Sequence, residues 1–157
     1  MTTATTFGSA PAGLHPLIGQ LFAKHGCTEV DVDTFDAFAQ QPGHALVLFT
    51  EDPLRIRETL DLAVIVPELA QAFRGCFRVG VLLPVAARQL QARYGFRRWP
   101  AFVILRDGAY VGAVEGLRNW DEYVQEVGQL LEAAPARPPT IGIPVKTAGT
   151  DAAGCGS

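Results

Sequence analysis

Arg93-Tyr94-Gly95-Phe96-Arg97-Arg98-Trp99-Pro100-Ala101-Phe102-Val103-Ile104-Leu105-Arg106-Asp107-Gly108-Ala109-Tyr110-Val111-Gly112-Ala113-Val114-Glu115-Gly116 carries the densest run of structural signals in the chain. Tyr94-Gly95 marks a helix end, because glycine accepts the left-handed backbone that closes many helices. Trp99-Pro100 then places a proline, which has no amide to donate, just before an apolar run. Ala101 to Leu105 and Tyr110 to Val114 flank Asp107-Gly108, a pair suited to the type I′ turn of a tight hairpin. The order is therefore helix, aromatic-proline step, strand, turn, strand.

Upstream, Ala45-Leu46-Val47-Leu48-Phe49-Thr50 is a continuous apolar run ended by Glu51-Asp52-Pro53. Such a run reads as a central strand buried on both faces. Phe77, Val79, Val81 and Leu83 alternate as in a further strand, and a helix from about Val85 to Tyr94 follows. Val30 and Val32 suggest a short strand, and Asp33 is a candidate N-cap for a brief helix carrying Phe35 and Phe38. Leu14, Leu17, Ile18, Leu21 and Phe22 recur at helical spacing, with Gly26 as a stop. A helix after the charged segment at 51–61 runs to about Phe73, and Pro67 is expected to kink or restart it. Asn119 and Glu122 form a capping-box pattern ahead of a last helix that buries Val124, Val127, Leu130 and Leu131.

The resulting order is α-β-α-β-α-β-α-β-β-α. Strand–helix–strand units imply parallel pairing with right-handed crossovers, and the hairpin adds an antiparallel pair. The fold class expected is α/β, a mixed central sheet with helices on both faces. Residues 1–10 read as a flexible N-terminus, 11–134 as one domain, and 135–157 as a disordered tail. Four prolines and four glycines among the last 23 residues leave too little apolar surface to offset the entropy of ordering that tail.

A chain of 157 residues, 48% hydrophobic and 18% charged, is of ordinary composition for one globular domain. Its longest apolar runs fall far short of a membrane span, which argues against membrane insertion, and its start lacks the pattern of a secretory signal. A net charge of −3 gives no electrostatic reason to expect nucleic acid. Cys27, Cys76 and Cys155 are too far apart for a zinc site and odd in number for a disulfide framework, so reduced thiols and a cytoplasmic location are expected. His15, His25 and His44 share no metal-ligand spacing, and no motif calls for a cofactor.

The segment from Tyr94 to the hairpin resembles the C-terminal half of a thioredoxin domain. In that family the proline forms a cis peptide beside the reactive thiols and helps grip extended peptides. The resemblance spans roughly Val30 to Leu131, but no Cys-x-x-Cys occurs in the sequence. The strand Leu46-Val47-Leu48-Phe49, which delivers the redox motif in thioredoxins, runs here into Thr50-Glu51-Asp52-Pro53-Leu54-Arg55-Ile56-Arg57-Glu58. The buried acid of active thioredoxins is replaced by Leu48. Dithiol exchange needs a thiolate and a resolving thiol, and both are missing from this place.

One thioredoxin-like family lacks the motif in this way. Leu-Phe-Thr-Glu-Asp-Pro at 48–53, Tyr-Gly-Phe-Arg-Arg-Trp-Pro at 94–100 and Gly-Leu-Arg-Asn-Trp at 116–120 closely resemble the hydrogenase expression proteins of the HyaE/HupG type. The resemblance implies a cytoplasmic, non-catalytic chaperone of nickel–iron hydrogenase maturation. Its partner would be the hydrogenase small-subunit precursor and its twin-arginine signal peptide, held back from export, with other hydrogenase maturation proteins as further contacts.

Candidate binding residues follow, each with a plainer alternative. Trp99 and Pro100 can offer an aromatic face and backbone groups to an extended peptide, or the proline can serve the turn alone. Glu51, Asp52, Glu58 and Asp61 suit bidentate contacts with arginines, or they favour a helix N-terminus and a solvated surface. Arg88, Arg93, Arg97 and Arg98 form a basic cluster that either meets an acidic partner or is simply solvated. Trp120, Asp121 and Glu122 start the last helix and either contact a partner or belong to a helix start that Asn119 and Glu122 already explain by capping. The alternative function is a single-thiol thioredoxin-like oxidoreductase using Cys76, and a structural adaptor is a third reading. An exposed edge strand or apolar helix face would permit a homodimer.

Overall fold

A computed structural model describes residues 14–139. The ten elements come in the expected order: α1 (Pro16–Ala23), β1 (Thr28–Val30), α2 (Phe35–Ala39), β2 (His44–Phe49), α3 (Glu58–Ala72), β3 (Phe77–Leu82), α4 (Pro84–Tyr94), β4 (Ala101–Arg106), β5 (Ala109–Glu115) and α5 (Trp120–Glu132). The strands form one five-stranded sheet in the order β1-β3-β2-β4-β5. β3 pairs in parallel with β1 and β2, while β4 pairs antiparallel with β2 and β5.

Residues 45–49 of β2 are fully buried, as a central strand covered on both faces requires. Side chains alternate across a strand, so Ala45, Val47 and Phe49 join one core with α2 and α4. Leu46 and Leu48 join the other, beneath α1, α3 and α5. At the hairpin Asp107 and Gly108 both take positive φ, 51° and 88°, as a type I′ turn demands. The Asp107 carboxylate also accepts the Gly43 amide at 2.7 Å, tying the hairpin tip to the loop after α2. Gly95 closes α4 in the left-handed region at φ 71°.

Three local expectations change. β1 stops at Val30, and Val32 lies outside it, 44% exposed. Asp33 is not the N-cap of α2. Thr34 occupies that position, and the Asp31 carboxylate accepts both the Thr34 amide (2.9 Å) and its hydroxyl (3.1 Å). Asp31 therefore turns the chain out of β1 and into α2, the usual competition of a short acidic side chain with the ladder. Finally, α3 does not restart at Pro67 but runs from Glu58 to Ala72. Leu62, Ala63, Val66 and Leu69 on either side of the proline are buried, so packing outweighs the one lost backbone bond.

Beyond α5 the Ala136 amide donates to the Tyr110 carbonyl at 2.7 Å, laying the chain along the outer edge of β5. The N-terminal segment expected to be flexible and most of the tail expected to be disordered lie outside the described residues. Among the described residues no helix is long and apolar enough to cross a membrane.

Candidate functional site

Register places the candidate residues at one end of the sheet. Phe49 lies opposite Leu82 on one side and Ala101 on the other, and Ala101 lies opposite Glu115. The segments after β2, after β3, before β4 and after β5 therefore meet along a single edge. The Thr50 amide (3.1 Å) and hydroxyl (2.8 Å) both donate to the Leu82 carbonyl, fixing the first of these segments to the second.

Trp99-Pro100 is a cis peptide. The Pro100 carbonyl accepts the Gly116 amide at 2.8 Å, and the fully buried Tyr123 holds the following turn. Its hydroxyl donates to the Gly116 carbonyl (3.1 Å) and accepts the Arg118 amide (3.2 Å). Glu115 accepts the amides of Arg97 (3.1 Å) and Arg98 (3.0 Å), bracing the approach to the proline. Trp99 is only half exposed, because its ring packs edge-on against Phe96 and Phe49, with centroids 5.1 and 6.4 Å away. One face of it belongs to the core and the remainder to the surface.

Glu51 departs most from what its sequence context suggests. It is 6% exposed, and Arg88 of α4 grips it with both arms of its fork: Nε to Oε2 at 2.9 Å and Nη2 to Oε1 at 2.5 Å. The Asp52 amide donates to the same carboxylate at 2.7 Å. Hydrogen bonding from Arg88 is the main reason the Glu51 carboxyl sits below the usual glutamate range, with burial opposing it. The Glu51 amide points to the Thr59 hydroxyl of α3 at 3.4 Å, and the Asp52 carboxylate accepts the Leu54 amide at 3.0 Å. That turn leaves Leu54 93% exposed.

Glu51, Asp52 and Arg88 line a cleft of about 290 Å³ whose other walls include Leu14, Ile18, Pro53, Leu83, Pro84 and Val85. The four acids named from the sequence thus separate. Glu51 and Asp52 share the cleft, whereas Glu58 and Asp61 lie exposed on the first turn of α3. Trp99 and Pro100 do not line the cleft but sit across β2 from it. The basic cluster separates too, since Arg93 turns to Asp36 (3.0 Å) and the Phe35 ring. No spacing rule joins Glu51 to Arg88, 37 positions away, so sequence reasoning missed their pairing. Asn119 and Glu122 form the expected capping box.

The two described thiols lie elsewhere. Cys76 is exposed just before β3, at the opposite end of a strand whose six residues span roughly 20 Å. Cys27 precedes β1, whose first residue Thr28 lies opposite Gly80 in the middle of β3, and burial pushes its thiol up to about 11. Cys155 lies outside the described residues. Among the described residues no group of three or more His, Cys, Asp or Glu side chains is placed to hold a metal ion.

Comparison with known proteins gives a consistent result. The sequence matches the family described as hydrogenase-1 expression protein HyaE over residues 17–123. It is 42% identical over 135 residues to the hydrogenase expression/formation protein HoxO of Cupriavidus necator, covering 85% of this chain and 84% of that protein. It is 31% identical over 125 residues to HupG of Rhodobacter capsulatus, also a hydrogenase expression/formation protein, covering 78% and 91%. Among solved structures, a mutant thioredoxin from Halobacterium salinarum aligns with a TM-score of 0.58 at 23% identity, over 71% of this chain and 96% of that one. That likeness establishes the thioredoxin-like fold and nothing more.

Proposed function

Because the chain belongs to the HyaE family of hydrogenase expression proteins, we propose that it is a non-catalytic chaperone in nickel–iron hydrogenase maturation. In this reading it binds the hydrogenase small-subunit precursor and its twin-arginine signal peptide in the cytoplasm and releases them for export. One observation carries the proposal. The sheet edge that bears the dithiol in a thioredoxin carries here a carboxylate cleft, an exposed leucine and a cis-proline step, and neither described cysteine lines that cleft.

Such an edge can hold an extended peptide, and among the described residues it carries no thiol. An apolar stretch would lie over Leu54 and the exposed side of Trp99, while Asp52, Glu58 and Asp61 supply negative charge nearby. Backbone groups at the proline step would add main-chain pairing. Binding must remain reversible, which suits a shallow edge with few anchors better than a deep pocket.

Pull-down of purified precursor, with and without its signal peptide, tests the reading. Stronger recovery of the form that carries the signal peptide is expected. Equal recovery of both would remove the signal peptide from the account, and recovery of neither would end it.

A further inference from the structure

The Glu51 cleft already contains a guanidinium, supplied by the protein itself. Arg88 reaches from α4 and presents Nε and Nη2 to the two carboxylate oxygens of Glu51 at 2.9 and 2.5 Å. This is the paired geometry that distinguishes arginine from lysine, since an ammonium is a single point charge without a planar fork. Glu51 is 6% exposed, yet the arginine side chain that satisfies it remains 44% exposed. The pair is thus open on the arginine side.

A salt bridge of this kind is a poor device for stability alone, because desolvating both charges offsets much of their attraction. The cleft around it extends beyond the pair. Its roughly 290 Å³ lies at the lower limit of ligand-sized clefts, room for one or two side chains, and Leu14, Ile18, Pro53, Leu83 and Val85 give it apolar walls. Asp52 stands beside the pair, half buried and without an ion-pair partner among the described residues, where it can receive a displaced cation.

We propose that Glu51 is an arginine-selective anchor for the bound peptide, and that Arg88 is an internal stand-in which the peptide's guanidinium displaces. This inference rests on the peptide-holding reading above and names the group on the peptide that the site selects. On binding, the peptide arginine takes over the fork contacts to Glu51, its stem lies against Leu83 and Val85, and Arg88 swings toward Asp52. The number of charge-assisted bonds at the carboxylate is unchanged, so the exchange is readily reversible. Competition from Arg88 holds affinity down, and Glu51 sets the preference for arginine.

The two partners of the ion pair then have opposite effects when altered. Fluorescence anisotropy with a labelled synthetic small-subunit signal peptide containing its paired arginines, and with a counterpart in which both are lysine, reads the difference. Wild-type protein should prefer the arginine peptide by roughly tenfold, about 1.4 kcal/mol. Arg88→Met removes the competitor while keeping an apolar stem, and should tighten arginine-peptide binding by about tenfold. Glu51→Gln should abolish the preference. If either single variant fails to give a native circular dichroism spectrum, the double variant Glu51→Gln/Arg88→Met removes both charges together and should bind the two peptides equally.

Unchanged or weaker binding by folded Arg88→Met would overturn the inference, as would an arginine preference retained in the single or the double variant carrying Glu51→Gln. So would wild-type binding that does not distinguish the two peptides; in each of these cases the peptide-holding reading survives. Absence of binding to either peptide by every form would instead overturn the signal-peptide reading, and this inference with it.

Discussion

Arg78 offers the most quantitative test of how the scaffold is held together at the end of the sheet opposite the candidate site. Its Nη1 donates to the carbonyls of Pro42 (3.1 Å) and His44 (3.2 Å). Its Nη2 contacts those of Phe38 (2.6 Å), Ala39 (3.2 Å) and Gln41 (3.1 Å). The guanidinium also lies 4.9 Å from the centroid of the Phe38 ring. One side chain on β3 thus closes the C-terminus of α2, where free carbonyls and the helix dipole favour a cation, and sets the start of β2. Nη1 and Nη2 carry four N–H groups between them, so the three Nη2 contacts share two hydrogens. At roughly 0.5–1 kcal/mol net for each N–H used, with a similar amount from the ring contact, Arg78→Ala should cost about 3 kcal/mol. Arg78→Lys keeps the charge but lacks the fork and should cost about half as much. Urea unfolding followed by circular dichroism measures this directly, and the corresponding loss in Tm is about 6–12 °C for a chain of this size. A loss below about 0.5 kcal/mol for Arg78→Ala, at unchanged m-value, would mean that the five carbonyls are satisfied equally well by water and that Arg78 does not hold these elements together.

Further outcomes follow from other contacts. The Glu51 carboxyl titrates lower when folded than when unfolded, so its contribution is complete above about pH 4.3 and is lost as pH falls through the folded value. Stability of Glu51→Gln should accordingly fall less steeply than wild type over acid unfolding, as read by Tm from about pH 3 to 6. Thiol labelling should separate the two described cysteines: exposed Cys76 should react readily, while Cys27, pushed up to about 11, should label slowly until well above about pH 9. Insulin reduction by the protein, lost in Cys76→Ser, would contradict the non-catalytic account. Asn119→Ala removes the acceptor for the Glu122 amide and should cost about 1 kcal/mol in chemical denaturation.

The sheet was legible because local patterns and global packing agree. A run of five apolar residues, Ala45 to Phe49, between turn formers reads as a central strand, and Asp-Gly between two short apolar runs favours a tight turn. The Asn119 capping box is equally local. Where two nearby residues compete for one role, the sequence is less decisive: Asp31, Asp33 and Thr34 are all cap formers, and only the geometry assigns the turn to Asp31 and Thr34. Pro67 shows the converse, a strong local signal outweighed by buried neighbours on the same helix. The site was legible as a place and illegible in its contacts. Loss of the thiols and the position of Trp99-Pro100 mark the sheet edge, but nothing in the spacing reveals that Glu51 meets Arg88 or that Arg78 reaches five carbonyls. Both depend on long side chains crossing between elements that are distant in sequence. Trp99 likewise carries two roles, and its packing on Phe49 and Phe96 could be seen only once the strands were in register.

The proposed peptide-binding surface is the sheet edge formed by residues 50–57 and 97–100. Hydrogen exchange of the chain, alone and saturated with the small-subunit precursor, would map it. Slowed exchange at 50–57, 83–88 and 97–100, with residues 24–28 and 74–78 at the cysteine-bearing end unchanged, is the predicted result. Protection confined to the cysteine-bearing end, or to the outer face of α5, would contradict it.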